Sequence, residues 1–521
     1  MTVCLPFSKI RFLTVNPRTG YILLGFIMFI IIYCYQDFYY LNDIGTVLFD
    51  SLNDVIRVMR LTHCEYEIFL LSFNQMIRGV FMKESFGKKV ISIAIPVALQ
   101  SMLQSSFSMI DQIMVGQLGE KSIAAVEIAG KPGFIYSFVV GAIGTIAGIM
   151  ISQYIGKNDR ETEERSICVN FLVMLLTGIA FFFLSTVFSL QFIKMFTDDV
   201  SVINEGSSYL GIIGWTFIPL GISNICGVAL KCRGKSSWPL YAGFMSAIIN
   251  TGLNYCLIFG NFGMPMLGVR GAALASVISQ IAGAVLTTVL FFALYGRIGF
   301  SVSLGKERFW QYLAMLIPVV LNEFLWSVGQ SINTFVYGHM STDELAGMSL
   351  TGSVQGLTIG ALSGIAQAAG ILVGKRLGER EYDKAYQESK KLCVYGFIGS
   401  IILSVTIIVL KAPYVHLFNV VDDVRTIGLA LLTAFAVLMP IKVQNMILGG
   451  GIIRSGGRTK YIMMIDMLGT WLIGAPLALL TGLVFKLPIV WVYFILSQEE
   501  LVRFIISIFM FRSRKWMNTI E

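Results

Sequence analysis

Residues 90–116 read VISIAIPVALQSMLQSSFSMIDQIMVG. The stretch is apolar and long enough to cross a bilayer, for which roughly 20 residues suffice. It holds one proline, Pro96, and one carboxylate, Asp111. A carboxylate inside a hydrocarbon-spanning helix costs on the order of 3 kcal/mol or more, so Asp111 is a functional candidate on that ground alone. Proline removes a backbone hydrogen bond and can kink a helix. A helix that can bend beside a group that can take a proton is a moving part of the kind a transporter needs.

The stretch returns later in the chain. At an offset of 222 residues Pro96 meets Pro318, Asp111 meets Asn333, and Gly116 meets Gly338. The same offset carries Gly148 to Gly370, Gly156 to Gly378, Gly234 to Gly456 and Gly260 to Gly482. With 51 glycines in 521 residues a few matches arise by chance, but not so many at one offset. The chain is an internal duplication with almost no change of length between its halves.

Composition bounds the class. The chain is 55% hydrophobic and 13% charged, with a mean hydropathy of +0.74, which marks an integral membrane protein. Its net charge of +8 does not argue for nucleic acid, because the basic residues sit in short loops between apolar spans. They read as orientation signals. Eight cysteines without a CxxC suggest neither a disulfide framework nor a zinc site. No Ser/His/Asp arrangement, phosphate loop or metal-ligand cluster stands out, so an enzyme is not indicated and no cofactor is expected beyond a coupling ion.

From Lys88 on, twelve spans are predicted, near 90–116, 123–155, 167–192, 206–231, 237–260, 270–295, 310–338, 345–373, 392–416, 426–452, 460–483 and 488–511. Six spans per half is an even number, so both halves enter from the same side. That makes parallel repeats about an axis along the membrane normal. The predicted architecture is an all-α polytopic membrane protein of twelve transmembrane helices in two six-helix lobes, residues 82–300 and 301–521. Lysines and arginines such as Lys157, Arg233, Arg308, Lys375, Arg454 and Arg512 crowd one side, while Lys121, Lys194 and Arg270 are among the few on the other. The crowded side, with both ends of the 82–521 core, is expected in the cytoplasm, and the protein in the plasma membrane.

Residues 1–81 lie outside the duplication and hold one apolar run, 21–35. An extra helix, a targeting segment and translated upstream sequence compete as readings. The last is favoured, because Met82 opens a short basic start leading straight into a span. Codons for Arg78-Gly79-Val80 can also contain a ribosome-binding sequence, given a bacterial source.

Over residues 88–511 the chain resembles the multidrug and toxic compound extrusion (MATE) transporters. The resemblance rests on IAIPVALQSM followed by MIDQIMVGQLG, on ISQYIGKND, LKCRGKSSWP and INTGLNYCLIFGNFGMPMLGVRGAALAS, and in the second half on LIPVVLNEFLWSVGQ, ILVGKRLGERE and GIIRSGGRTK. It implies two lobes around a central cleft, and export of drugs or organic cations driven by inward flow of H⁺ or Na⁺. It also implies that Asp111 is the protonation or cation site of the first lobe; the alternative is a helix-end carboxylate already in water.

Other candidates follow. Asn250 and Asn254, at i and i+4, share one helix face at a depth like that of Asp111. Their amides can relay a proton or coordinate Na⁺; otherwise they tie helices together. Ser276 can add a hydroxyl. Glu323 sits mid-membrane in the seventh span, where the resemblance places an acidic residue about three positions further on, and is assigned to substrate binding or coupling. Lys442 stands in a part of the tenth span where the resemblance leads one to expect a carboxylate. It is too deep to snorkel with ease, and an ion pair with Glu323 is predicted. Glu127 and Lys131 form an i, i+4 pair read as structural or cleft-lining, and Gly144/Gly148, Gly360/Gly364 and Gly370/Gly374 read as close helix contacts.

The rival function is a lipid-linked oligosaccharide flippase of related two-lobe architecture. A flippase for a phosphorylated lipid should turn several Arg or Lys toward the cleft, whereas the embedded cations here are chiefly Lys131 and Lys442. An ATP-driven pump lacks its Walker motif, and a channel or receptor does not explain the duplication. The expected partners are small organic cations or drugs and the bilayer, without nucleic acid, and a monomer is expected.

Overall fold

A computed structural model describes residues 85–296, 298–299, 306–418 and 420–520. The extension 1–81 and the start at Met82 lie outside the described residues. The first lobe comprises α1 (Ser85–Gly116), α2 (Glu120–Lys157), α3 (Arg160–Val187), α4 (Val200–Cys232), α5 (Ser237–Phe259) and α6 (Val269–Tyr295). The second comprises α7 (Lys306–Gly338), α8 (Thr342–Gly378), α9 (Tyr382–Val415), α10 (Asp422–Ile453), α11 (Thr459–Val484), α12 (Ile489–Leu496) and α13 (Gln498–Arg512). Eleven of the described helices are long and apolar enough to cross a membrane. The twelfth predicted span is divided at Ser497 into α12 and α13, and α13 carries Glu499, Glu500 and Arg503. A short helix, Ser189–Lys194, joins α3 to α4.

Local chemistry sets the ends. Asp159 caps α3 by accepting from the Thr162 N–H (3.0 Å), and Ser341 caps α8 by accepting from the Glu344 N–H (3.2 Å). Helices α1 and α7 run unbroken through Pro96 and Pro318. The second lobe departs from α-helical winding in three places, with π-helical turns at Met446–Ile453, Leu468–Gly474 and Leu480–Val484. Each adds a residue to a turn and re-aims the side chains beyond it.

The lobes meet through α1, α2, α7 and α8, and the contacts fall at one end. In α8, Gly364 lies against the Ala94 carbonyl of α1 so closely that a Cβ would collide with it. Gly378 lies in the same way on the Gln153 carbonyl of α2, and Gly374 on Ser152. Gly156 in turn abuts the Lys375 carbonyl. Small residues let backbones approach where lipid offers no hydrophobic drive. Ser101 Oγ to Ser363 Oγ, at 3.4 Å, lies farthest from the Lys/Arg-rich end among these contacts. Past it the facing halves diverge. Gln104, Ser105, Ser108 and Gln112 of α1 are exposed, as are Gln330, Ser331 and Thr334 of α7. The molecule is closed at the end that carries Lys157 and Lys375 and open at the other.

Candidate functional site

Asp111 stands half-buried in the open half of α1, which packs along α5. Helix α5 offers it one polar face. Asn254 Nδ2 donates to Asp111 Oδ1 at 2.6 Å. In the orientation that satisfies both ends of its amide, Asn250 Nδ2 reaches the two carboxylate oxygens at 2.8 and 3.1 Å, while its Oδ1 accepts from Ser276 Oγ of α6 at 3.3 Å. All four predicted residues of the first lobe thus meet in one hydrogen-bonded group. Asn254 is fully buried, and its Oδ1 has no partner among the described residues. A free amide oxygen beside a carboxylate suits a bound Na⁺ as well as the hydroxyl of a protonated Asp111. Tyr209 of α4 also lies within electrostatic range of Asp111. One tyrosine among twenty gave no sequence signal for it.

The second lobe does not repeat this group. At the offset of 222, Asp111, Asn250, Asn254 and Ser276 correspond to Asn333, Leu472, Pro476 and Gln498. A different cluster occupies this lobe. The predicted Glu323–Lys442 pair is not formed. Glu323 faces Arg454 Nη1 at 3.8 Å, and Lys442 Nζ faces Glu500 at 3.8 Å. Helix rotation is the reason. Lys442 is turned toward α12 and α13, lying over the Tyr493 ring, whereas Arg454, beyond the π-helical turns of α10, is brought back to α7. Arg454, read as a loop charge, therefore belongs to the interior.

At the centre is Arg503, only 8% exposed. It lies 3.4 Å from Glu499, 3.9 Å from Asp466 and 4.0 Å from Glu500, and its Nη2 also bonds Thr470 Oγ1. Asn322 Nδ2 donates to Asp466 (2.8 Å) and Asn445 Nδ2 to Glu500 Oε2 (2.8 Å). Sequence reasoning missed Asp466, Glu499, Glu500 and Arg503. The available signal was that all four fall inside the last two predicted spans.

Two polar stripes face the opening. On α1, Ser101, Ser105, Ser108 and Gln112 follow at helical spacing; on α7 the same positions of the repeat are Glu323, Ser327, Gln330 and Thr334. Ser105, Ser108, Gln112, Gln330 and Thr334 are exposed, and exposed polar groups at hydrocarbon depth avoid lipid, so these parts of the stripes line a wet cleft. Glu127 and Lys131 of α2 bond at 2.7 Å, with side chains 68% and 48% exposed, and on the same argument belong to that cleft. Four embedded cations, Lys131, Lys442, Arg454 and Arg503, each have a carboxylate partner in the chain, while Lys411 near the end of α9 bonds Thr433 Oγ1 at 2.6 Å.

Comparison with known proteins places this arrangement. The sequence profile of the MatE family matches residues 96–256 and again 318–480, two copies whose starts are 222 residues apart. Relatives include an uncharacterized transporter, YisQ, of Bacillus subtilis (strain 168), 25% identical over 82% of this chain and 95% of its own length. A probable multidrug resistance protein NorM of Thermotoga maritima is 23% identical over 82% and 93%. The fold matches a solved MOP superfamily transporter from Pyrococcus furiosus with a TM-score of 0.75 at 16% identity, over 83% of this chain and 97% of that one. It also matches a multidrug resistance MATE family transporter in its outward-facing conformation with a TM-score of 0.73 at 17% identity, over 84% and 99%. The profile covers more than half of the chain, and its two copies stand at the offset read from the sequence: the chain belongs to the MatE family of multidrug and toxic compound extrusion transporters.

Proposed function

We propose that the protein is a cation-coupled antiporter that exports drugs or organic cations across the plasma membrane, with H⁺ or Na⁺ as the coupling ion. The observation that carries this reading is Asp111, held by Asn254 and Asn250 at the edge of a wet cleft. In the open state a cation entering from that side reaches a carboxylate already oriented by two amides, so little ordering remains to oppose binding. A proton or Na⁺ there cancels a charge that is costly to enclose, and closure over the site becomes cheaper. An organic cation needs the empty, ionised carboxylate or its polar surroundings, so the two loads alternate. Coupling then resides in the first lobe, because the carboxylates of the second already face fixed cations.

The lobes are taken as residues 82–300 and 301–521, with the Lys/Arg-rich end in the cytoplasm by the charge rule and the protein working as a monomer. The relatives named as multidrug resistance proteins support the substrate class. The flippase reading loses support, since Lys131, Lys442, Arg454 and Arg503 each face a carboxylate within the chain and Lys411 is engaged by Thr433 at 2.6 Å. The test is dye efflux from energised vesicles under separately imposed Na⁺ and pH gradients. Efflux that responds to neither gradient, in a folded protein, refutes coupling.

A further inference from the structure

Residues 513–520 follow α13 and pack back onto the Lys/Arg-rich end. Trp516 is fully buried, and its indole N–H donates to the Phe511 carbonyl at 3.1 Å. Gly456, between α10 and α11, abuts the Trp516 carbonyl so closely that any side chain would displace it. Arg514 pairs with Asp383 of α9 at 2.8 Å, and Thr519 Oγ1 donates to the Leu377 carbonyl of α8 at 2.9 Å. These partners all belong to the second lobe.

Gln153 of α2 belongs to the first. It is fully buried, and its amide spends both donors and an acceptor across the divide. Nε2 donates to the carbonyls of Ser455 (2.7 Å) and Asn518 (3.3 Å), and Oε1 accepts from the Ile520 N–H at 2.7 Å. One turn on, Lys157 Nζ donates to the Ile520 carbonyl. Elsewhere the seam is mainly small-residue packing with single hydrogen bonds, Tyr312 OH to Asn170 Oδ1 at 3.3 Å and Ser101 Oγ to Ser363 Oγ at 3.4 Å. Gln153 is the point where parting breaks several buried hydrogen bonds at once.

We propose that residues 513–520 are a strap that holds the lobes together at the Lys/Arg-rich end, with Gln153 as its catch. Each opening toward that side requires Gln153 to leave Ser455, Asn518 and Ile520. The strap sets the balance between the two open states, and anything that pulls residues 513–520 away shifts the protein toward opening at this end. The inference rests on the reading that the lobes part alternately at their two ends. It does not depend on what is carried.

A native thiol reports on the seam. Cys232 ends α4 fully buried, with Sγ 3.7 Å from the Gly148 carbonyl and Lys375 of the other lobe within electrostatic range. Cys226, in the same helix, is buried within the lobe and lies 4.0 Å from Thr288. The full chain in native membranes is treated with N-ethylmaleimide, and both cysteines are followed by peptide mass spectrometry. Gln153→Leu should raise the Cys232 rate about tenfold or more, as loss of three hydrogen bonds worth about 0.5–1.5 kcal/mol each implies, and leave Cys226 unchanged. Deleting the residues after Arg512 should do the same. An unchanged Cys232 rate in Gln153→Leu overturns the proposal. So does a Cys226 rate that rises in step, because the contact then holds the fold together and not the seam. Labelling reads the opening alone, so failure of the antiport reading would appear in vesicle efflux and leave this result standing.

Discussion

Removing Arg503 should be among the most damaging single changes in the second lobe. Its guanidinium faces Glu499 at 3.4 Å, Asp466 at 3.9 Å and Glu500 at 4.0 Å, and it is only 8% exposed. In Arg503→Leu those three carboxylates keep Lys442, 3.8 Å from Glu500, and the amides of Asn322 and Asn445. Breaking a buried ion network by deleting one partner costs about 3–5 kcal/mol, because the charges left behind stay buried. The exposed Lys131–Glu127 pair is the internal control, and Lys131→Gln should cost less than about 1 kcal/mol. Thermal unfolding of the detergent-solubilised protein reads the difference. At roughly 2–4 °C per kcal/mol the Arg503 variant should melt about 6–20 °C lower and the Lys131 variant within about 4 °C of the natural chain. Adding Glu499→Gln and Asp466→Asn to Arg503→Leu should recover much of the loss, since neutral partners no longer demand the missing cation. An Arg503→Leu protein that melts with the natural chain would refute the claim that this guanidinium holds the lobe together.

Three further outcomes follow from the geometry. Asp111→Asn should abolish gradient-driven efflux in vesicles while leaving the melting temperature nearly unchanged, because an amide keeps the shape and loses the titration; retained coupling would move the site elsewhere. Glu323→Gln and Arg454→Gln should couple in a double-mutant cycle of thermal stability by about 0.5–3 kcal/mol, and Glu323→Gln with Lys442→Met should be closer to additive. The Asp199 carboxyl is held below its usual range by the Ser201 N–H it accepts and then by Lys121. A lowered folded value stabilises above the unfolded pKa of about 3.9 and is lost as pH falls through the folded value. Acidification below about pH 4 should therefore lower the protection factors of the amides at the start of α4, taken against the intrinsic exchange rate at each pH, and Asp199→Asn should remove that change in protection.

The parts of the molecule that were legible in the sequence are those whose signal is local or repeated. Apolar spans reveal themselves by length, and the duplication by one offset that both copies of the family profile share. The group around Asp111 was legible because a lone carboxylate and two amides at i, i+4 stand out against an apolar background. The cluster around Arg503 was not. Asp466, Glu499, Glu500 and Arg503 lie within 37 residues of one another, yet which charge meets which is decided by the rotation of α10 and α11, where π-helical turns displace every side chain beyond them. Lys442 and Arg454 were both available to Glu323 at the sequence level, and only the winding of α10 selects Arg454. The strap was illegible for another reason: the few residues after the last helix have no period to read, and the partner that gives them meaning, Gln153, lies in the other lobe.

The duplication also tells where to look for function. Positions that agree between the halves, such as Pro96 with Pro318 or Gly156 with Gly378, serve a backbone that both lobes share. Positions that disagree cannot serve it, because the partner lobe folds without them. Asp111 against Asn333, Asn254 against Pro476, Leu220 against Lys442 and Ile281 against Arg503 are all of this kind. They separate a first lobe in which Asp111 is held by amides from a second lobe whose charges face one another. A transporter needs one of each: a site that can be loaded, and a counterpart whose electrostatics stay constant while the load changes. On this argument Asp111→Asn and Arg503→Leu should fail differently, the first in coupling with the fold intact, the second in stability. Moving the first-lobe set onto the second, as Asn333→Asp with Leu472→Asn and Pro476→Asn, should create no second coupled ion, because Gln498 stands where Ser276 completes the original group and the fixed charges of α13 begin one residue later. A change in ion stoichiometry measured in vesicles carrying that triple variant would refute the division of labour.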